Sequence, residues 1–161
     1  MLWDKPYRPV RNQRLSPELY IWSNRVYFIT VRADRNQRPF VTDELNTLVL
    51  DVLREEEVRQ NCMVFTYCLM PDHLHFLVSP GEDGISVLQF TDQFKGKSTN
   101  GGWSVGWQGK LWQRRYYDHV VRHAENLRAI AEYILGNPVR KNLVVEAEDW
   151  LWSGHMNPLP V

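Results

Sequence analysis

Hydrophobic and polar positions follow two different periods along the middle of the chain. Residues 62–70 and 73–79 are runs of apolar, β-branched and aromatic side chains separated by a short Pro-Asp turn, which predicts two strands joined as a hairpin. From Asp43 to about Arg59, apolar residues recur at spacings of three and four, which is typical of a helix with one buried face. Thr42 or Asp43 can cap this helix.

Further elements are predicted on both sides of the hairpin. They are a strand over 24–33, a helix from about 85 to 97, a flexible glycine-rich loop over 96–109, a strand within 111–122, and a helix over about 125–136 that must end before Pro138. The order β-α-β-β-α-β-α fits an α+β fold of the ferredoxin-like sandwich kind. We expect an antiparallel sheet with helices packed on one face.

The length of 161 residues predicts one domain with flanking segments. We expect a basic N-terminal arm over 1–20, a main domain over 21–145, and a C-terminal tail over 146–161 that Trp150 and Trp152 anchor on the domain.

The two cysteines bear on the cellular compartment. Cys62 and Cys68 lie six residues apart on one predicted strand, about 20 Å by strand rise, which is too far for a disulfide. Apolar runs are too short to cross a bilayer. We therefore expect a reducing, cytoplasmic compartment.

Charge is unevenly distributed although the net charge is zero. Residues 1–40 and 95–122 each carry a net +5, and residues 41–94 between them carry −8. Local basic patches, rather than the total, govern phosphate binding. The two basic blocks are compatible with a nucleic-acid partner, and equally with ordinary solvated surfaces.

The candidate chemistry starts with two histidines on the second strand of the hairpin. Because side chains alternate along a strand, His73 and His75 project to one face, and Leu74, Phe76 and Val78 project to the core. Two adjacent imidazoles can hold a metal. Taken alone, the pair is also compatible with two half-exposed histidines that have no such role.

The last predicted helix carries a second polar pair. Tyr133 and Asn137 are four residues apart and share one helix face, beside an apolar stripe that holds the helix on the core. Each has an ordinary alternative, since Tyr133 can be a half-buried core residue and Asn137 a helix cap before Pro138.

In combination, three motifs point to one family. They are Pro-Asp-His-Leu-His-Phe at 71–76, Trp-Gln-x-x-Tyr-Tyr-Asp-His-Val-Val-Arg at 112–122, and Glu-Tyr-Ile-Leu-x-Asn-Pro-Val-x-x-Asn-Leu-Val at 132–144. The chain resembles the HUH single-tyrosine transposases, above all the REP-associated tyrosine transposases of bacteria, over roughly residues 20–145.

This resemblance implies an HUH nuclease fold and a metal-dependent enzyme. It implies that His73, His75 and Asn137 bind a divalent cation, Mg²⁺ or Mn²⁺, and that Tyr133 attacks a scissile phosphate. The product would be a 5′-phosphotyrosine with a free 3′-hydroxyl, formed on single-stranded DNA folded into palindromic hairpins. The protein would then be cytoplasmic and associated with the nucleoid when bound to DNA. It would act as a monomer or a homodimer.

Several other residues are candidates for DNA contact or for supporting the site. We expect phosphate contacts from Lys95, Lys97, Arg114, Arg115 and Arg122, contacts of the arm from Arg8, Arg11 and Arg14, and base stacking by Trp103, Trp107 or Trp112. His119 is either a hydrogen-bonding support for the metal site or a structural histidine. Tyr116 and Tyr117 compete with Tyr133 for the role of nucleophile, but they lack its asparagine partner.

Two alternative functions remain compatible with these motifs. One is a domesticated relative that binds hairpin DNA or RNA without cutting it. The other is a structural zinc site made of Cys62, Cys68, His73 and His75, although its spacing is not that of a common zinc motif.

Overall fold

The computed structural model describes residues 25–83, 85–122 and 126–160. The basic arm, with Arg8, Arg11 and Arg14, lies outside the described residues. Along the chain the elements are β1 (Tyr27–Arg32), α1 (Asp43–Arg59), β2 (Cys62–Met70), β3 (His73–Pro80), α2 (Val87–Ser104), β4 (Tyr117–Val120), α3 (Leu127–Leu135), α4 (Asn137–Arg140) and β5 (Ser153–His155). The strands form one antiparallel sheet in the order β4-β1-β3-β2-β5. The predicted α+β fold with an antiparallel sheet is confirmed.

Local capping explains where the helices begin. The Thr42 side chain accepts a hydrogen bond from the backbone N–H of Leu45 at the start of α1, and Asn126 does the same for Ala129 at the start of α3. As expected, α3 ends before Pro138. A short second helix, α4, follows immediately, with the proline in its first turn.

The structure corrects the prediction for the glycine-rich stretch. Instead of a loop from residue 96, α2 continues to Ser104. A Cβ on Gly101 would lie 3.0 Å from a methyl of Leu48, and one on Gly102 would lie 3.4 Å from a methyl of Leu45. These glycines allow α2 to approach α1 closely, so packing outweighs their weak helix propensity.

The sheet has a core on each face. On one face, Leu74, Phe76 and Val78 pack with α1 and α2, as the alternation predicted. On the other face, Ile130 and Ile134 of α3 pack with side chains of β1, β2 and β3. The expectation of helices on one face therefore holds for α1 and α2, whereas α3 covers the opposite face because its apolar stripe is buried there.

An irregularity in β2 places the two cysteines on opposite faces. The pairing of β2 with β3 shifts register between Val64 and Tyr67. Cys62 therefore belongs to the core under α1 and α2, while Cys68 belongs to the core under α3. The hypothesis of one zinc site using both cysteines is thus wrong. Burial raises the pKa of the Cys62 thiol to about 11 and that of Cys68 to about 12.

The C-terminal segment adds an element that the sequence did not predict. Strand β5 pairs with the outer edge of β2. The indole N–H of Trp150 donates to the carbonyl of Leu69 at 3.0 Å, and Trp152 packs on the core under α1 and α2. None of the helices in the described part of the chain is long and apolar enough to cross a membrane.

Candidate active site

Two buried imidazoles meet at the centre of the sheet. His73 and His75 lie on the face of β3 that α3 covers, and their Nε2 atoms are 3.1 Å apart. Their rings are close to perpendicular, with centroids 4.5 Å apart. The predicted placement of both side chains on one face, opposite Leu74 and Phe76, is confirmed.

The outer nitrogen of each imidazole has its own polar partner. Nδ1 of His73 lies 2.6 Å from a carboxylate oxygen of Asp72, and Nδ1 of His75 lies 2.7 Å from the hydroxyl of Thr30. With the ring protons on Nδ1, both rings donate outward and both Nε2 lone pairs point inward. This is the arrangement in which histidines bind metals.

Electrostatics favour the metal-binding protonation state. Desolvation holds the pKa of His75 well below its usual range, so this ring stays neutral near pH 7. The hydrogen bond from His73 lowers the pKa of the Asp72 carboxyl to about 2, so this group stays ionised. An ionised Asp72 accepts the Nδ1 proton of His73 and stabilises the tautomer with a free Nε2.

Asn137 and Tyr133, from α4 and α3, lie near the histidine pair. The amide nitrogen assigned to Asn137 lies 3.0 Å from Nε2 of His73, and the side chain is buried. Oxygen and nitrogen of an amide exchange on rotation, so the oxygen can face the same point. Tyr133 sits one turn earlier and lines the same cavity.

The cavity in front of these side chains has a volume of about 360 Å³. Two exposed cationic residues, Arg32 and Lys141, line this cavity. The remaining lining residues are Phe28, Thr30, Asp72 and Tyr117. A space of this size beside two cations suits a phosphodiester group rather than an apolar ligand.

Sequence matching places this architecture in a known family. The model of IS200-like transposases matches residues 21–137, well over half of the chain. The chain belongs to the IS200-like transposase family. The resemblance inferred from the three motifs is therefore confirmed.

Two relatives are distant in sequence but match about three quarters or more of each chain. A Haemophilus influenzae protein provisionally named a REP-associated tyrosine transposase is 25% identical over 143 residues, covering 80% of this chain and 78% of the relative. The REP-associated tyrosine transposase of Escherichia coli is 24% identical over 130 residues, covering 79% and 74%.

Solved structures agree on the fold. A REP-associated tyrosine transposase bound to a REP hairpin superposes with a TM-score of 0.71 at 20% identity, covering 90% of this chain and 82% of the other. A transposase-like protein of Deinococcus radiodurans gives 0.54 at 20% identity, covering 72% and 92%. The ferredoxin-like arrangement of this IS200-like transposase is thus shared with both.

The predicted DNA-contacting residues are distributed unevenly. Arg115 lines a cavity that adjoins the site and shares Thr30, Arg32 and Tyr117 with it. Lys95 and Arg114 line another cavity together with Lys110. Arg122 is exposed just beyond β4.

Lys97 is placed elsewhere than expected. Its ammonium lies 2.7 Å from a carboxylate oxygen of Glu56, which is buried between α1 and α2. This cation neutralises a buried carboxylate, so we expect a structural role for Lys97 rather than the predicted phosphate contact.

The other aromatic and histidine candidates include both buried core residues and residues near the surface or the cavity. Trp112 is buried and donates to Ser98, so it is a core residue rather than a base-stacking one, whereas Trp103 is about half exposed. Tyr116 is buried with its hydroxyl donating to the carbonyl of Leu88, but Tyr117 reaches the cavity. His119 lies opposite Phe28 on the face of the histidine pair, outside the lining of the cavity.

Sequence reasoning did not assign roles to Thr30, Asp72, Arg32 or Lys141. Asp72 stands within the quoted motif, directly before His73. A carboxylate next to a predicted metal-binding histidine could have indicated a hydrogen-bond partner for that ring. Thr30 could be found only from the pairing of β1 with β3, in which it lies directly opposite His75.

Proposed function

We propose that this transposase cleaves and rejoins single-stranded DNA beside a hairpin, with Tyr133 as the nucleophile and a divalent metal held by His73, His75 and Asn137. One observation carries the proposal: these four side chains converge on a single cavity, although they come from β3 and from the α3–α4 segment. The family membership supports a transposition chemistry. The REP hairpin bound to a relative of the same fold supports the choice of substrate.

The residues present fit a divalent metal. Two imidazole nitrogens and one amide oxygen can face a common point, and the Nδ1 atoms of the two rings contact Thr30 and Asp72. Within the described residues, no three His, Cys, Asp or Glu side chains form a metal-binding group, so Asn137 would have to complete the set. A mixed nitrogen and oxygen set suits Mn²⁺ better than Mg²⁺. When bound, such a metal polarises the phosphate oxygens and orients the scissile group.

The covalent step belongs to Tyr133. Its hydroxyl oxygen forms a bond to the scissile phosphorus, the bond from phosphorus to the 3′-oxygen breaks, and the phenolic proton lost is balanced by the proton that the 3′-oxygen gains. The products are a 5′-phosphotyrosine and a free 3′-hydroxyl. Because one phosphoester replaces another, a second 3′-hydroxyl can reverse the step and rejoin strands without ATP.

Basic side chains around the cavity would position the phosphodiester backbone. Arg32 and Lys141 line the cavity that would hold the reacting phosphate, and Arg115 lines the adjoining cavity. Lys95, Arg114 and Lys110 form a further cationic group suited to a more distant part of the substrate. Arg122, which is exposed, would contact the backbone farther from the cavity.

The test is single-turnover cleavage of a labelled hairpin with single-stranded flanks, taken from a palindromic repeat of the source genome, in Mn²⁺, Mg²⁺ or EDTA. We expect a covalent protein–DNA adduct in Mn²⁺ and none in EDTA. Tyr133→Phe should abolish the adduct and keep hairpin binding. Tyr117→Phe should still form the adduct.

Two results would contradict the proposal. If Tyr133→Phe cuts as well as the unaltered protein, Tyr133 is not the nucleophile. If the unaltered protein binds the hairpin and forms no adduct with either metal, the chain is better described as a non-cleaving hairpin-binding protein.

A further inference from the structure

Arg140 folds back from α4 onto the side of α3 and contacts Tyr133 twice. One guanidinium nitrogen donates to the backbone carbonyl of Tyr133 at 2.7 Å. The guanidinium carbon lies 4.0 Å from the centre of the Tyr133 ring, over its face. The same planar group therefore holds both the backbone and the aromatic ring of one residue.

Gly136 provides the space for this contact. A Cβ at this position would lie 3.0 Å from the other terminal nitrogen of Arg140 and 3.1 Å from the carbonyl oxygen of Glu132. The backbone at Gly136 has a φ of −80°, which any residue can adopt. A side chain at position 136 would therefore not strain the backbone, but it would push the guanidinium of Arg140 away by a few tenths of an ångström.

A guanidinium on the face of a tyrosine restricts how the ring can move. Such contacts contribute about 0.5–1 kcal/mol at exposed sites and more when desolvated. Arg140 is exposed and the Tyr133 ring is half-buried, and Tyr133 lines the cavity whereas Arg140 does not. Loss of a restraint of this size lowers the population of the aligned ring, and with it the rate of attack, by about 2–5-fold.

We propose that Arg140 is a positioning residue that fixes the Tyr133 ring in its attacking orientation, in the space that Gly136 leaves open. This inference rests on the proposed role of Tyr133 as nucleophile. It assigns Arg140 to the tyrosine rather than to the DNA, and the two assignments have different consequences for binding.

The experiment measures adduct formation and hairpin affinity in the full chain for Arg140→Gln, Arg140→Lys and Gly136→Ala. Arg128→Gln is the matched control, because it removes an exposed arginine from the other end of α3. At saturating hairpin, we expect Arg140→Gln and Gly136→Ala to slow adduct formation about 2–5-fold with unchanged hairpin affinity. Arg140→Lys should recover little, because an ammonium lacks the planar fork that spans carbonyl and ring. Arg128→Gln should match the unaltered protein.

A second measurement does not depend on activity. In protein labelled with 3-fluorotyrosine, the ¹⁹F resonance of Tyr133 is identified by its loss in Tyr133→Phe. Removal of the guanidinium from the ring face should shift this resonance in Arg140→Gln and Gly136→Ala, and not in Arg128→Gln.

The outcomes separate this inference from the proposed function. If Tyr133→Phe abolishes the adduct but Arg140→Gln reacts at the normal rate, the role of Arg140 is wrong and the nucleophile stands. A loss of hairpin affinity that accounts for the slower reaction of Arg140→Gln would make it a DNA contact and overturn the inference. If Tyr133→Phe still cuts, the proposed function fails, and an unshifted ¹⁹F resonance would independently refute the ring contact.

Discussion

The hydroxyl of Thr30 lies 2.7 Å from Nδ1 of His75, across the antiparallel pair of β1 and β3. The two residues are 45 positions apart in the chain and face each other directly in the sheet. When Nδ1 of His75 carries the ring proton, the Thr30 hydroxyl accepts it, and Nε2 is then free to bind a metal.

Thr30→Val should weaken Mn²⁺ binding about 10–100-fold, because it keeps the shape of the side chain and removes the polar partner of the ligand. The chain offers a matched control: Thr66 makes the same kind of contact, at 2.9 Å, with Nδ1 of His155 on β5. Thr66→Val should leave Mn²⁺ affinity unchanged in titration calorimetry. An equal loss in both variants would show that the effect is not specific to the site.

The stability of the metal-free protein should fall as the pH drops below 6.5, the ordinary pKa of histidine. Burial lowers the pKa of His75 in the folded state, so in this range the unfolded chain binds a proton that the folded protein does not. The expected slope from this residue is up to about 1.4 kcal/mol in the free energy of unfolding per pH unit.

Urea unfolding between pH 5 and 7.5 with a chelator present measures this slope. The range avoids Asp72, whose lowered pKa contributes stability that is lost only below its ordinary value of 3.8. In His75→Gln the part of the slope due to this ring should disappear. An unchanged slope in that variant would rule out His75 as its source.

We expect Lys97 to be a structural cation and Arg114 to be a DNA-binding cation. Lys97→Gln leaves the buried carboxylate of Glu56 with fewer partners, so the free energy of unfolding should fall by about 1–3 kcal/mol while hairpin affinity is retained. Arg114→Gln should keep stability but weaken hairpin binding and reduce its salt dependence by about one ion. Binding measured at several salt concentrations, alongside urea unfolding, tests both, and the reverse pattern would contradict the assignment.

Two glycines should respond to alanine with opposite signs. A Cβ on Gly81 would lie 2.2 Å from the backbone carbonyl oxygen of Asn61, so Gly81→Ala should cost about 1–3 kcal/mol or more. Gly96 lies inside α2, with no atom within 4 Å of a Cβ, so Gly96→Ala should stabilise by about 0.5–1 kcal/mol through helix propensity. Thermal unfolding of the two variants measures the difference. A destabilised Gly96→Ala would mean that α2 needs flexibility there.

Local patterns were sufficient for elements whose signals lie within a few residues of one another. The cap at Thr42 and the spacing of apolar residues predicted α1, and Pro138 limited α3. Alternation along β3 placed His73 and His75 on one face. The same reasoning failed for α2, because a run of glycines indicates a loop unless a second helix packs against it, as α1 does.

The sequence alone predicts most of the elements, the side chains that each presents, and three motifs sufficient to identify the family, but not α4 or β5. Only the tertiary structure decided that α3 covers the histidine face, that Thr30 meets His75, and that Arg140 lies over Tyr133 in the space beside Gly136. The difference lies in the sequence separation over which each signal acts. Periodicity and capping act within one or two turns, whereas strand register and the face on which a helix packs depend on contacts between residues far apart in the chain.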